Sequence, residues 1–222
     1  MNKKILKRAK YLYIPALFII IGIPIFIFAG GLEDNILFAE VQYALSIESG
    51  NVSFDYTKIP PKTSGEIDFK NFDFPKIGTQ YGQLKCDKIN LNVPIYYGDD
   101  EKSLSRGAGQ YVQSGIFGQQ KDIIIGGHDV TFFAPLKNVK EGYIFEADTR
   151  YGRFQYVVTD IKVLQASSEA AYDLSSKKER LILYTCYPFG SILGERPNRY
   201  FVYCDKLSGP ILKGDINEKS HR

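Results

Sequence analysis

The chain has few of the side chains that most often bind metals or form cross-links. Its 222 residues include two histidines and three cysteines. An odd cysteine count at this length rules out a disulfide-stapled scaffold and leaves at least one thiol free. Cys86, Cys186 and Cys204 are dispersed and match no C-x₂-C spacing, so no metal site is expected. Excess charge is missing too. The formal net charge is +3, and five basic residues (Lys3, Lys4, Lys7, Arg8 and Lys10) fall within the first ten positions. The remainder is close to neutral or slightly acidic, so no nucleic-acid partner is expected. There is no internal repeat, no low-complexity tract and no second long apolar run.

One long apolar run does exist. Residues 11–29, "YLYIPALFIIIGIPIFIFA", carry no charge. That is long enough to cross a bilayer as a helix. Pro15 and Pro24 lie inside it, and membrane-spanning helices tolerate proline. The basic tail, residues 1–10, is expected to stay in the cytoplasm and the rest of the chain outside. A cleaved signal peptide is the alternative, but the run is long for one and no A-x-A site follows. The expectation is a single-pass protein of the cell membrane with an extracellular domain.

Residues 30–76 read as a juxtamembrane helix and a linker. Ile36, Leu37, Val41, Ala44, Leu45 and Ile47 recur at roughly helical spacing, and Ser49 to Pro75 is rich in turn residues. From Ile77 the pattern changes to short β-rich segments: "YGQLKC", "INLNVPIYYG", "KDIIIGGH", "GYIFEADT", "GRFQYVVTDIKVLQ", "ERLILYTC" and "NRYFVYCDK". Strands at this spacing predict an all-β barrel or sandwich over residues 77–208. Short helices are expected at Asp99–Arg106, where the acidic run reads as a solvated helix start, and at Thr131–Leu136. Residues 209–222 read as a polar tail.

The scarce reactive side chains are not placed at random. Cys186 ends the apolar strand "RLILYTC", and His128 follows the apolar strand "IIIGG". If both strands run the same way in one sheet, the two side chains emerge on one rim. A thiol nucleophile needs such a partner. His221 lies in the polar tail. Cys86 and Cys204 lie within strand-like sequence and read as core thiols. Arg199 opens the strand after Cys186, where a hairpin would return it beside the thiol. Arg196, in the connecting loop before Pro197, competes with it, and spacing alone leaves a solvated charge as the simpler reading of either.

These residues resemble those of a sortase, the membrane-anchored cysteine transpeptidase of Gram-positive bacteria. "LYTC" is similar to the family's T-L-x-T-C strand, with Tyr184 at the variable position. "GGHDVTFFAPL" is similar to its G-H segment, and "NRYFVYC" to the strand that supplies its active-site arginine. "CDKINLNVPIYYG" is similar to the early I-P-x-I-x-L-x-x-P-I-Y-x-G hairpin, with Cys86 and Asp87 where Ile and Pro are usual. The resemblance covers residues 77 to 206.

It implies a closed eight-stranded β-barrel with short helices, preceded by one transmembrane helix. It implies that Cys186 attacks the Thr carbonyl of an L-P-x-T-G-like sorting signal, with His128 as acid/base and Arg199 holding substrate and stabilising the oxyanion. Thr185 and Tyr187, flanking the thiol, are the implied substrate-binding residues. The acyl group would pass through a thioester to an amine on a cell-wall precursor or a pilin lysine, and no cofactor is required. "GHDVTFF" resembles the class D pattern, with class B or E as alternatives. The Asp-Pro-aromatic lid of pilin-polymerising sortases is missing, although Gly65 to Pro75 could serve as a different lid. A non-enzymatic, membrane-tethered domain that binds cell-wall polymers is the remaining alternative, and it would need neither Cys186 nor His128.

Overall fold

Apolar residues at every second position, or in unbroken runs, form strands that close on themselves. A computed structural model describes residues 62–68, 72–191 and 196–213, with Ile21 besides. Apart from Ile21, the expected anchor (11–29) and the expected juxtamembrane helix (30–47) therefore lie outside the described residues. Among the described residues no helix is long and apolar enough to cross a membrane. The chain divides into two units, Met1–Val41 and Gln42–Arg222, and every element below belongs to the second.

The strands in chain order are β1 (Glu66–Asp68), β2 (Gln80–Cys86), β3 (Leu91–Tyr97), β4 (Ala108–Gln110), β5 (Asp122–Gly126), β6 (Ile144–Thr149), β7 (Arg153–Gln165), β8 (Arg180–Tyr187), β9 (Asn198–Ser208) and β10 (Ile211–Lys213). Eight of them close a barrel in the order β2-β3-β4-β5-β8-β9-β7-β6. The barrel of the sequence reading is thus present. Its seven long strands match the seven quoted segments. The eighth, β4, is only Ala-Gly-Gln and has no β-branched residue to announce it.

Burial follows the strand patterns. β5, "DIIIG", is buried throughout and pairs in parallel with β8. A parallel strand covered on both faces reads as a continuous apolar run, which is what the sequence has. β7 alternates, sending Phe154, Tyr156 and Val158 into the barrel interior. There they meet Leu84, Ile95, Phe117, Ile123, Ile125, Phe145, Leu181, Leu183 and Val202. A smaller apolar cluster forms outside the barrel, from Ile124, Ile182, Phe201 and Tyr203 capped by Ala171 of the β7–β8 connection. Cys86 and Cys204 sit in the interior core, 2% and 0% exposed, where burial pushes both thiols up. They are the core thiols expected.

The helical segments are shorter than read. Helix α1 is Glu101–Leu104, with the Asp100 carboxylate accepting the Ser103 N–H at its start. The Thr131–Leu136 stretch is a turn leading into a 3-10 helix, Ala134–Asn138, with Pro135 near its start.

Linker and tail are not merely appended. β1, from the linker, pairs in parallel with β10, from the tail. Leu212 is 9% exposed, and its N–H donates to the Gly118 carbonyl. Phe72 packs edge-on against Tyr151, with ring centres 4.6 Å apart. Tyr151 is in the β6–β7 turn, at the end of the barrel where β5 and β8 begin. The described parts of 65–75 therefore clasp the base, away from the rim where Cys186 stands, and do not form a lid over it.

The same base carries a buried ionic group. Glu179 accepts from Tyr156 Oη (2.6 Å), the Gly118 N–H (3.0 Å) and Lys206 Nζ (2.9 Å). Its side chain is 4% exposed, and that of Lys206 17%. Removing one partner of such a pair strands the other. Glu179→Ala is expected to destabilise the domain by about 3–5 kcal/mol, read as a lower midpoint in urea. An unchanged midpoint would show that water replaces the carboxylate without cost.

Candidate active site

Strand direction and register build the site. β5 and β8 run parallel, with Gly126 opposite Tyr184. His128 lies two residues beyond Gly126, and Cys186 two beyond Tyr184, so both are delivered to one rim. The connection is sealed by two hydrogen bonds: Gly127 N–H to the Tyr184 carbonyl (3.2 Å), and Thr185 Oγ1 to the Gly127 carbonyl (2.7 Å). The neighbours of His128 are thereby bonded to the neighbours of Cys186. β9 returns antiparallel to β8 with Arg199 directly opposite Cys186. Facing residues on adjacent strands project from the same side of the sheet, with Cβ atoms about 4.5–5.5 Å apart. Cys186, Arg199, Tyr184 and Phe201 thus share the outer face, which is the face of the smaller apolar cluster.

The two glycines before His128 have a packing reason. A Cβ at Gly126 would lie 2.6 Å from Tyr184 Cζ, and one at Gly127 would lie 2.7 Å from Phe133 Cγ. Neither position has room for a side chain. The Tyr184 ring lies across β5, and Phe133 closes under the His128 turn. That turn is held by the Phe133 N–H donating to the His128 carbonyl at 2.9 Å.

Cys186 is partly exposed, unlike the other two thiols. His128 opens to solvent on the rim. The protein mass beneath it disfavours the imidazolium and lowers its pKa; Asp129 opposes that shift, Arg196 adds to it, and Glu101 opposes it weakly. Arg199 Nη1 donates to the carbonyls of Arg196 (2.7 Å) and Asn198 (3.0 Å), which restrains the guanidinium at the start of β9. Tyr184 is pushed up to about 12, first by burial and then by Asp99, with Arg199 pulling the other way. Its hydroxyl stays protonated and keeps its capacity to donate.

Thr185 is 1% exposed, and its hydroxyl is turned inward to Gly127, so what it offers the rim is its backbone. Tyr187 is partly exposed and stacks on Tyr200 at 6.3 Å and 18°, beside Phe189. Arg196 is not the free loop residue that its position suggested. Its Nη1 donates to Asp129 at 2.7 Å, and the Asp129 side chain is 1% exposed. Sequence reasoning passed over Tyr184 and Asp129. Tyr184 could have been found, because a residue two positions before Cys186 on a strand shares its face. Asp129 had no such signal. Among the described residues no group of three His, Cys, Asp or Glu side chains is arranged to hold a metal ion.

A partly exposed thiol, an imidazole and a guanidinium on one rim form the constellation of acyl transfer through a covalent thioester. The family model that matches the chain is the Sortase domain, over residues 84–207. The chain is 34% identical over 134 residues to Sortase D of Bacillus subtilis (strain 168), across 60% of this chain and 67% of that protein. A Sortase D5 transpeptidase of Clostridium perfringens superposes with a TM-score of 0.55 at 19% identity, covering 62% of this chain and 85% of that one. A sortase C of Clostridium perfringens, solved with the C-terminal cell wall sorting motif, superposes with a TM-score of 0.54 at 24% identity, covering 60% and 72%. At those identities the two structural matches speak for the fold.

Proposed function

The chain belongs to the sortase family and is a class D-like cysteine transpeptidase; on that premise we propose that it cleaves an L-P-x-T-G-like sorting signal between Thr and Gly and transfers the acyl part to a cell-wall amine. The observation that carries this reading is the register: Cys186 faces Arg199 across β8 and β9, and Thr185 ties the His128 turn to the same strand end. The solved sortase C with its sorting motif supports the substrate class.

The steps follow from the groups present. The Cys186 thiolate adds to the Thr carbonyl carbon. Arg199 donates to the oxyanion, a guanidinium being able to give two parallel hydrogen bonds. The C–N bond to Gly breaks as the His128 imidazolium gives the leaving amine its proton, and a thioester remains. The incoming amine adds to that thioester, His128 takes its proton, and the thiolate leaves. The partly exposed Tyr184 ring, two residues before Cys186 on the same face, offers an apolar surface to the substrate, and the buried Phe201 backs it. The uncharged run 11–29 behind a basic tail supports a single membrane anchor that leaves this domain outside the cell.

The test is incubation with L-P-x-T-G-like peptides and an amine. Expected are a Cys186 acyl-enzyme by mass spectrometry and a transpeptidation product. No adduct with any peptide of the panel would sink the substrate class. Acceptance of a pilin lysine in place of a precursor amine would favour the pilin-polymerising alternative. Within this reading, Arg199→Lys keeps the charge but loses the paired donors. It is expected to lower kcat/KM by about 10²–10³-fold. A near-normal kcat/KM would remove Arg199 from the oxyanion role.

A further inference from the structure

Around Cys186 the chain makes a circuit of polar contacts that no step above uses. Asp129 directly follows His128 and is 3% exposed. Its Oδ2 accepts the Gly190 N–H at 2.7 Å, and its Oδ1 accepts from Arg196 Nη1 at 2.7 Å. Gly190 and Arg196 both belong to the β8–β9 connection, which leaves β8 just after Cys186 and enters β9 just before Arg199. The Arg196 carbonyl in turn accepts from Arg199 Nη1 at 2.7 Å. One buried carboxylate therefore binds the His128 turn to two points of the β8–β9 connection, and Arg196 passes the restraint on to Arg199.

We propose that Asp129 and Arg196 are positioning residues for the Cys186 reaction, acting as a latch that holds the His128 turn against the β8–β9 loop and keeps the carboxylate charge neutralised beside the imidazole. The proposal rests on the sortase-type reading of the site. Two physical arguments carry it. First, a carboxylate this deep keeps its charge only when paired and hydrogen-bonded, and both of its partners come from the loop. Gly190 and Arg196 therefore cannot leave the His128 turn without breaking them. Second, proton transfer tolerates little misplacement, and the latch spans the elements that carry thiol, imidazole and guanidinium. The charged groups facing His128 are Asp129 on its own turn, Arg196 from the β8–β9 loop and Glu101 from α1. Cys186 on β8 and Arg199 on β9 stand on the same rim. Asp129 and Arg196 act on the imidazole in opposite senses.

That opposition gives a test that general loss of structure cannot mimic. Arg196→Gln removes the cation that holds the His128 pKa down and should raise it. Asp129→Asn leaves the Arg196 cation unpaired and should lower it. The double variant Asp129→Asn/Arg196→Gln should return it towards the wild-type value. Each single variant should lose about 10²-fold in kcat/KM, and Arg196→Lys, which keeps the charge, should lose less. The readouts are the pH profile of kcat/KM and an NMR titration of the His128 imidazole, on variants whose thermal unfolding shows them folded. The NMR titration needs no substrate, so it tests the latch even if the sorting-signal reading fails. Opposite shifts in the two single variants support the latch. Shifts of the same sign, or none, overturn it, as does near-normal kcat/KM in folded Asp129→Asn. If Asp129→Asn does not fold, Arg196→Gln against Arg196→Lys decides: a raised His128 pKa in the first alone supports the latch, and identical titrations overturn it.

Discussion

Alanine in place of Cys186 is expected to abolish both transpeptidation and the acyl-enzyme adduct. The reason is positional and chemical together. The enzyme has three thiols, but Cys86 and Cys204 are enclosed in the barrel core, where desolvation keeps them protonated and substrate does not reach. Only Cys186 stands partly exposed on the rim, facing Arg199. With the sulfur gone, no covalent path remains. The same contrast predicts that a water-soluble alkylating reagent modifies Cys186 first. Cys86→Ala and Cys204→Ala should retain the adduct and lose stability instead, by about 1 kcal/mol as for a typical destabilising change. Mass spectrometry of the enzyme with a sorting peptide decides: an intact adduct in Cys186→Ala would remove the assignment.

Substitution of His128 by alanine is expected to cost about 10²–10⁴-fold in kcat/KM, the usual contribution of a positioned acid/base. Asn at this position should do no better, since it can neither give nor take a proton. Desolvation lowers the His128 pKa from the ordinary value of 6.5. The neutral imidazole is therefore favoured at neutral pH, and the His128-linked limb of the pH profile is expected below that value. The imidazolium that protonates the leaving amine becomes a larger fraction as pH falls towards the limb. His128→Ala should erase the limb as well as the rate. Activity within a few-fold of the parent enzyme, with the limb still present, would return His128 to a structural role.

Much of this was legible before any coordinates. A short β-branched run such as "DIIIG", bounded by turn residues, reads as a covered strand, and "RLILYTC" reads the same way. Two such strands ending in His128 and Cys186 already suggested one rim. The hairpin argument for Arg199 needed only that β9 follow β8 across a loop, and the register of Cys186 opposite Arg199 agrees with it. Less was legible where packing overrides pattern. "AGQ" has no strand propensity, yet it pairs because β3 and β5 leave a gap between them for it. β1 and β10 lie far apart in sequence and meet only at the barrel base.

The sequence by itself determined the seven long strands and the family, and put His128, Cys186 and Arg199 at strand ends, because strand periodicity and a short motif are local properties of the chain. Only the tertiary structure decided which residues support them. That Asp129 grips Arg196 and Gly190, that Tyr184 lies in the space Gly126 leaves, and that Thr185 turns inward to Gly127 are contacts between segments about sixty residues apart. No local pattern encodes such contacts, since each depends on how the barrel closes.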